Sequence, residues 1–332
     1  MTRVGIKQVA VLAGVSPATV SRTLAGKPVD PAMRARVEDA VRATGYRPNL
    51  AARRLRSQDS GTIGLIVADI RNPFFTAVSR AVEDAAFERG LRVILCNTDE
   101  NPAKEQMYLR LMEEERVTGT IFAPTREGAE KMTRARFSFP LVLIDRAAPM
   151  SPHDAVLLDN AGACAELVRH LHRRGYRRIA GFFGAASTTG RERREGYEAT
   201  MRALGLEPAA RFLEHGAGVA EAAVGQLLAE SQRPDALIAS NGVMLLDMVR
   251  AIRRTGLRIP EDIGLAGFDN EPWTEIVGEG ITVMEQPVEE IGRNAVAMLL
   301  ERGLHSEAAA KRLALQARCV IRGSTPELQQ AG

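Results

Sequence analysis

Cysteine is scarce, with three in 332 residues. Cys96, Cys164 and Cys319 are far apart, odd in number and set in apolar runs, so buried reduced thiols are expected rather than a disulfide or a thiolate metal set. The five histidines are scattered. His170 and His172 are two apart and fall on different sides of a helix, which makes them a poor metal pair. No metal site and no cofactor are expected. No stretch approaches the ~20 apolar residues of a membrane span, and the opening MTRVGIKQVAVLAG lacks both the hydrophobic run and the cleavage site of a signal peptide. A cytoplasmic protein with no membrane contact is expected. GxSxG, HExxH, a P-loop and a GxGxxG at a strand-helix junction are all missing, so nothing marks a catalytic residue and an enzyme is not expected.

Acid is missing from one end. Residues 1–57 carry eleven Lys or Arg against Asp30, Glu38 and Asp39, whereas the rest of the chain is mildly acidic although the whole is +3. A basic module of this size has the footprint of a polyanion binder, because neutralising phosphates releases counterions. From Ile6 to Ala13, Val9, Ala10 and Ala13 recur at helical spacing, and Gly14 supplies a tight turn. Ser16 caps a second helix with Pro17 at its first position, and Val20 and Leu24 continue an inward face. A third helix is predicted from about Pro31 to Thr44, with Met33, Val37 and Val41 on one stripe and Gly45 as its stop. Two short helices about a glycine turn, braced by a third, follow the helix-turn-helix plan. Ser16, Pro17, Ala18, Thr19, Ser21 and Arg22 are then candidates to face DNA. Arg22 suits a guanine edge, the hydroxyls suit phosphates, and Pro17 and Ala18 read thymine methyls or shape. A plain structural three-helix bundle is the competing reading.

The basic stretch NLAARRLRS, Asn49 to Ser57, joins this head to the remainder. Asn49 can cap a helix there, but nine residues fall below the ~12 to 15 that an isolated helix needs in water. It should fold only when held. Arg53, Arg54 and Arg56 suit phosphates and Leu55 is the type of residue that wedges between base steps; a solvated cationic linker is the alternative.

From Thr62 onward, short apolar runs alternate with amphipathic helical stretches, the signature of parallel sheets with crossover helices. Strands are predicted at Ile63–Ala68, Arg92–Cys96, Thr120–Ala123, Leu141–Ile144 and Val156–Leu158, then at Ile179–Phe183, Phe212–Glu214, Ala236–Ala239, Ile263–Gly267 and Thr282–Met284. Two sets of about five strands imply two lobes of one kind, with a ligand cleft at the carboxyl ends of the strands. Asp69, Asn97, Asp99, Asp145, Arg146, Asp159, Asn160, Asn241, Asp269 and Asn270 stand at those ends. They could bind hydroxyls or simply cap the next helices. Phe74 and Phe75 could cover a sugar ring or belong to the core.

The blocks IKQVAVLAGVSPATVSRTLAG, GYRPNLAARRLRS and TIGLIVADIRNPFF closely resemble, in order and spacing, the lac/gal repressor family of bacterial transcription regulators. Gly5 departs from the pattern where the family has a capping Thr or Ser. The resemblance implies an all-α helix-turn-helix head plus an α/β two-lobed, periplasmic-binding-protein-like core with parallel sheets. It places the head at 1–48, a hinge at 49–61 and the core at 62–328, with lobes of about 62–159 plus 288–325 and 160–287. It implies a ligand-responsive homodimer that binds palindromic double-stranded operator DNA and a small-molecule sugar or sugar-acid effector, probing DNA with Ser16, Pro17, Ala18, Thr19, Ser21, Arg22, Asn49, Arg53, Arg54 and Leu55. STTGRERREGYEA resembles the family's effector loop, with Arg193 four residues before Tyr197 and Ser187 and Thr189 upstream. SNG and GFDN place Asn241 and Asp269 at contact positions, Gly242 replaces a common acid, and Phe74, Asp145 and Arg146 complete the implied set. CNTDENPAKEQ and GFDNEPWTEIVGEGITVMEQP resemble regulators that answer to 2-ketogluconate or 2-keto-3-deoxygluconate. Arg146 beside Arg193 suggests an anionic polyol. A free-standing sugar-binding protein of the transport type is the alternative, but it leaves residues 1–57 without a use.

Overall fold

The computed structural model describes residues 4–24, 27–46, 60–185, 187–214, 218–305 and 307–328. The chain divides into two compact units at the Ser60–Gly61 bond. The first is three helices, α1 (Ile6–Ala13), α2 (Pro17–Leu24) and α3 (Pro31–Thr44). Val9, Ala10, Ala13, Val20, Val37 and Ala40 form its core. Gly5 opens α1, and its N–H donates to the Gln8 side chain at 2.7 Å. That is the half of a capping box that glycine can still make. Gly14 closes α1 in the left-handed region at φ 60°. Asp30 caps α3 through the amides of Ala32 and Met33. Of the expected α3 stripe, Val37 is buried and Val41 packs against the core, with Ala40 buried beside them, whereas Met33 is 40% exposed.

The second unit holds two six-stranded sheets. The first contains β1 (Thr62–Val67), β2 (Arg92–Asn97), β3 (Gly119–Phe122), β4 (Leu141–Ile144), β5 (Asp154–Leu158) and β11 (Arg312–Leu315), in the order β11-β5-β4-β3-β1-β2. The second contains β6 (Ile179–Gly184), β7 (Ala209–Leu213), β8 (Ala236–Ala239), β9 (Gly264–Phe268), β10 (Thr282–Glu285) and β12 (Arg318–Val320), in the order β12-β10-β9-β8-β6-β7. Helices α4 (Pro73–Phe87), α5 (Pro102–Glu114), α6 (Arg126–Lys131) and α12 (Val288–Leu304) accompany the first sheet, and α7 (Asn160–Arg173), α8 (Thr188–Ala203), α9 (Val219–Leu228), α10 (Gly242–Thr255) and α11 (Trp273–Ile276) the second.

Both faces of each sheet are covered, which explains the nearly continuous apolar strands. Along β1, Ile63, Leu65 and Val67 pack with α4 and α12 residues, while Ile66 faces a separate cluster with Met112 and Phe122. Phe182, Leu237 and Leu265 occupy one face of the second sheet and Phe183, Ile238 and Phe268 the other.

Ten strands are those expected, two of them unchanged at both ends and the rest with ends moved by at most three residues. The sixth strand of each sheet was not. β11 runs parallel to β5, whereas β12 runs antiparallel to β10. The chain therefore crosses between lobes three times, near Asp159, near Gln286 and at Gln316–Ala317. Residues 318–320 belong to the second sheet and not to the first lobe, to which the span 288–325 had assigned them. Pro73, Phe74 and Phe75 are the first turn of α4, where Asn72 caps through the Phe74 amide, and both phenylalanines are buried in the first lobe's core.

Candidate functional site

On the head, Ser16 caps α2, its Oγ accepting from the Thr19 amide at 3.1 Å and lying 2.9 Å from the Thr19 hydroxyl. Ser16, Pro17, Ala18, Ser21 and Arg22 are exposed, Thr19 is half-buried and Val20 points inward. Arg22 donates to the Pro28 carbonyl at 3.2 Å and stays at the surface. The helix thus shows hydroxyls, small apolar groups and one guanidinium outward, the mixture that reads groove edges and phosphates. Asn49, Arg53, Arg54 and Leu55 lie outside the described residues.

In the core, Phe74, Asp145, Arg146, Ser187, Thr189, Arg193, Asn241 and Asp269 all line one cavity of about 60 Å³ between the sheets, together with Asn72, Phe75, Gly190, Ser240 and Gln286. The carboxyl ends of parallel strands deliver them: β4 presents Asp145 and Arg146, β8 presents Asn241 and β9 presents Asp269. A chamber of about 410 Å³ adjoins, sharing Asn72, Phe75, Arg146, Ser187 and Asn241.

Arg193 is braced by neutral groups on three sides. Its Nε donates to Asn160 Oδ1 at 2.8 Å, its Nη1 donates to the Ser240 carbonyl, and its guanidinium lies 4.0 Å above the centre of the Phe268 ring. Asn160 is itself fixed by donating to Glu192 at 2.8 Å. One turn along α8, Tyr197 is buried, donates to the Ile179 carbonyl at 2.6 Å and accepts from the Ala209 amide at 2.9 Å. Burial raises the Tyr197 hydroxyl to about 12, so it stays protonated. Gly196 lets α8 approach the start of α7, since a Cβ there would lie 2.2 Å from the Ala161 carbonyl oxygen. Burial lowers the Arg193 pKa, an effect that Asp269 and Asp145 oppose.

Ser187 caps α8 through the Gly190 amide at 2.9 Å and lies 3.1 Å from the Thr189 hydroxyl. Asn241 caps α10 through the Met244 amide at 2.8 Å, which leaves its amide nitrogen for the cavity. Asp269 accepts from the Gly242 amide at 2.8 Å and from the Gln286 amide at 2.6 Å. A Cβ at Gly242 would meet Glu271 Oε1 at 2.3 Å, so Glu271 fills the space that a side chain at 242 would take. Asp145 and Asp269 both sit at positive φ, 62° and 74°. Such strain in residues other than glycine gathers at functional sites.

Arg146 departs from the expectation of a free second cation. Its guanidinium grips both Glu100 oxygens at 2.6 and 2.8 Å, and its Nε lies 3.0 Å from Asp145, off hydrogen-bond alignment. Burial lowers its pKa, but Asp145 and Glu100 outweigh burial and hold it above the usual arginine value. Burial in turn raises the Asp145 carboxyl, with Arg146 and Arg193 opposing.

Several strand-end residues prove to be local. Asp159 caps α7 through the Gly162 amide, Asp69 holds Arg71 at 2.9 Å, and Asn97 bridges the Ile70 amide and Asp99. Sequence reasoning missed Glu100 and Gln286 as parts of the site. Both follow strand ends, which is the signal that could have found them; their partners are distant in sequence and gave none. Cys96 and Cys164 are buried free thiols and Cys319 is half-buried. His170 is buried against the Thr325 hydroxyl at 2.8 Å. Among the described residues no helix is long and apolar enough to cross a membrane.

Residues 5–49 match the family model for bacterial regulatory proteins of the lacI family, and residues 168–325 match that for a periplasmic binding protein-like domain. The chain is 37% identical to the HTH-type transcriptional regulator PtxS of Pseudomonas plecoglossicida, over 98% of this chain and 96% of that protein. It is 33% identical to the HTH-type transcriptional regulator KdgR of Bacillus subtilis, over 96% of this chain and 97% of KdgR. Among solved structures, the lac repressor dimer bound to operator and the anti-inducer ONPF gives a TM-score of 0.88 at 24% identity, over 98% of this chain and 100% of that one, a likeness of fold. With near full-length relatives and a three-helix head ahead of a two-lobed cleft, the chain belongs to the lacI family of bacterial regulatory proteins and is a helix-turn-helix transcriptional regulator, not an enzyme.

Proposed function

We propose that this regulator acts in the cytoplasm as a homodimeric repressor of carbohydrate or sugar-acid catabolism genes, and that a sugar acid binds in the cleft between its lobes. The observation that carries this reading is the meeting of Arg193 with the amino-terminal ends of α8 and α10 at one cavity, beside Ser187, Thr189, Asn241 and Asp269. Helix amino termini and a guanidinium favour an anionic group, and the neighbouring hydroxyl, amide and carboxylate groups suit vicinal hydroxyls. Phe74 supplies an apolar face. A ligand that touches both lobes shifts their arrangement by its differential affinity for the closed form. In a two-fold dimer this alters the separation of the paired Asn49–Ser57 segments, whose Arg53, Arg54 and Leu55 we assign to the minor groove, with Arg22 in the major groove of each half-site.

Calorimetry with 2-ketogluconate, gluconate and glucose, paired with operator retardation, tests this. Tighter binding of an acid, with a change in retardation, is expected. A neutral hexose that binds far more tightly than either acid overturns the effector assignment. Removal of the first 57 residues should abolish operator binding and keep ligand binding.

A further inference from the structure

The inner cavity of about 60 Å³ is too small alone for a ligand site, which spans roughly 300–1,000 Å³. Two larger spaces adjoin it, one of about 870 Å³ that shares Phe74, Asp269 and Gln286 and one of about 410 Å³ that shares Asn72, Phe75, Arg146, Ser187 and Asn241 and so continues the cavity more fully. Arg146 stands at the neck between the cavity and this second space, lining both. At first sight it is a second anion receptor facing Arg193 across the site. Its two terminal nitrogens are already engaged, Nη1 by Glu100 and the Pro124 carbonyl and Nη2 by Glu100, while Nε faces the charge of Asp145 without a hydrogen bond. The Arg146 side chain is 6% exposed and that of Glu100 21%, so solvent screens the pair weakly. Glu100 is held to this task by two successive left-handed residues, Asp99 at φ 52° and Glu100 at φ 56°, a conformation that residues other than glycine seldom adopt. The chamber beyond is no more hospitable to anions. Arg71 is paired with Asp69 and Arg250 with Asp247, and the remaining charged wall is the acids Glu214 and Glu221, the latter holding Arg254.

We infer that Glu100 sets the charge limit of the effector: by closing an ion pair on Arg146 it reserves the site for a ligand with a single anionic group, seated at Arg193, and turns away the phosphorylated form of the same sugar acid. This rests on the sugar-acid reading above and narrows it. A bidentate carboxylate-guanidinium pair is both strong and geometrically fixed, and a phosphate arriving at the neck would have to displace Glu100 or lie beside it. Discrimination against like charge is a repulsive device, and it is removed by neutralising one residue.

The test uses the full-length regulator and two matched pairs, gluconate with 6-phosphogluconate and 2-ketogluconate with its 6-phosphate, with glucitol as the neutral control. In calorimetry the native protein should prefer each acid to its phosphorylated partner by roughly 10-fold or more. E100Q frees the Arg146 guanidinium, and the ratio of phosphorylated to unphosphorylated affinity should rise by about 10-fold or more. The double variant E100Q/R146Q should return that ratio towards the native value, because the gain acts through Arg146. A merely structural role for Glu100 would weaken both members of each pair in parallel. An E100Q ratio within about two-fold of native, or native protein that binds a phosphorylated acid as tightly as its partner, overturns the proposal while leaving the sugar-acid reading standing. Preference for glucitol over both acids, or no binding of either acid, overturns the sugar-acid reading and this proposal with it.

Discussion

The two lobes share one strand order and differ in how they hold charge at the cleft. The second lobe presents Arg193 from a helix pinned by Tyr197, with Asn160 and Ser240 on its nitrogens and Phe268 beneath it. The first lobe presents Arg146 already closed on Glu100 and Asp145. One guanidinium is hydrogen-bonded by neutral groups, with the carboxylates of Asp269 and Asp145 nearby, and is the one proposed above to meet the effector. The other is spent within its own lobe. A count of arginines near a pocket therefore says little about ligand charge until their partners are known.

The largest effect on this comparison is expected from Gly196→Ala. The new methyl would press on backbone at Ala161, which cannot rotate away, so about 3 kcal/mol of stability should be lost, read as a lowered urea midpoint with weakened effector binding. A native midpoint would mean that the approach of α8 to α7 is slack. Arg193→Gln should follow, with effector affinity falling roughly 100-fold through loss of charge-assisted hydrogen bonds. If Arg146→Gln cost as much and Arg193→Gln little, the roles assigned to the two lobes would be reversed. Asn160→Ala should weaken effector binding by about 10-fold, because it leaves the Arg193 Nε without its acceptor. Equal losses for neutral and acidic ligands would deny Asn160 its role through Arg193.

The smallest effect concerns Glu105 in the first lobe, buried with its Oε2 accepting from the Thr125 amide at 2.7 Å. Burial raises its pKa, with the Thr125 bonds opposing. A raised carboxyl favours folding while protonated. As pH climbs through the ordinary carboxylate range the unfolded chain releases its proton first, and stability falls until the folded pKa is passed. Glu105→Gln, measured by urea midpoints at about pH 4 and about pH 7, should therefore compare better with the native protein at the higher pH. No change between the two would show that the carboxylate is adequately solvated.

Much of the site was legible because strand ends in doubly wound sheets converge by rule. Eight residues chosen from polar strand ends and family motifs surround one cavity. What escaped lacked local pattern. β11 and β12 are four and three residues long with few buried positions, too short for alternation to show, and only their partners β5 and β10 define them. The Glu100–Arg146 pair joins two loops distant in sequence, so no spacing announces it. Helical period places Met33 inward with Val37 and Val41, but Met33, on the first turn of α3, is exposed, and the core is made by Val37 and Ala40 with Val41 packed against them.

The order in which the chain crosses between sheets has a consequence for synthesis. The first lobe's core needs Ile291, Ala295, Val296 and Leu299 from α12 and an edge from β11, all of which leave the ribosome after the second lobe's β6–β10. The second lobe in turn waits for β12. The basic head can mature on its own while both lobes remain unfinished until β11 and β12 have been made. A chain truncated shortly after Gln286 would carry a DNA-reading end and no functional sensor.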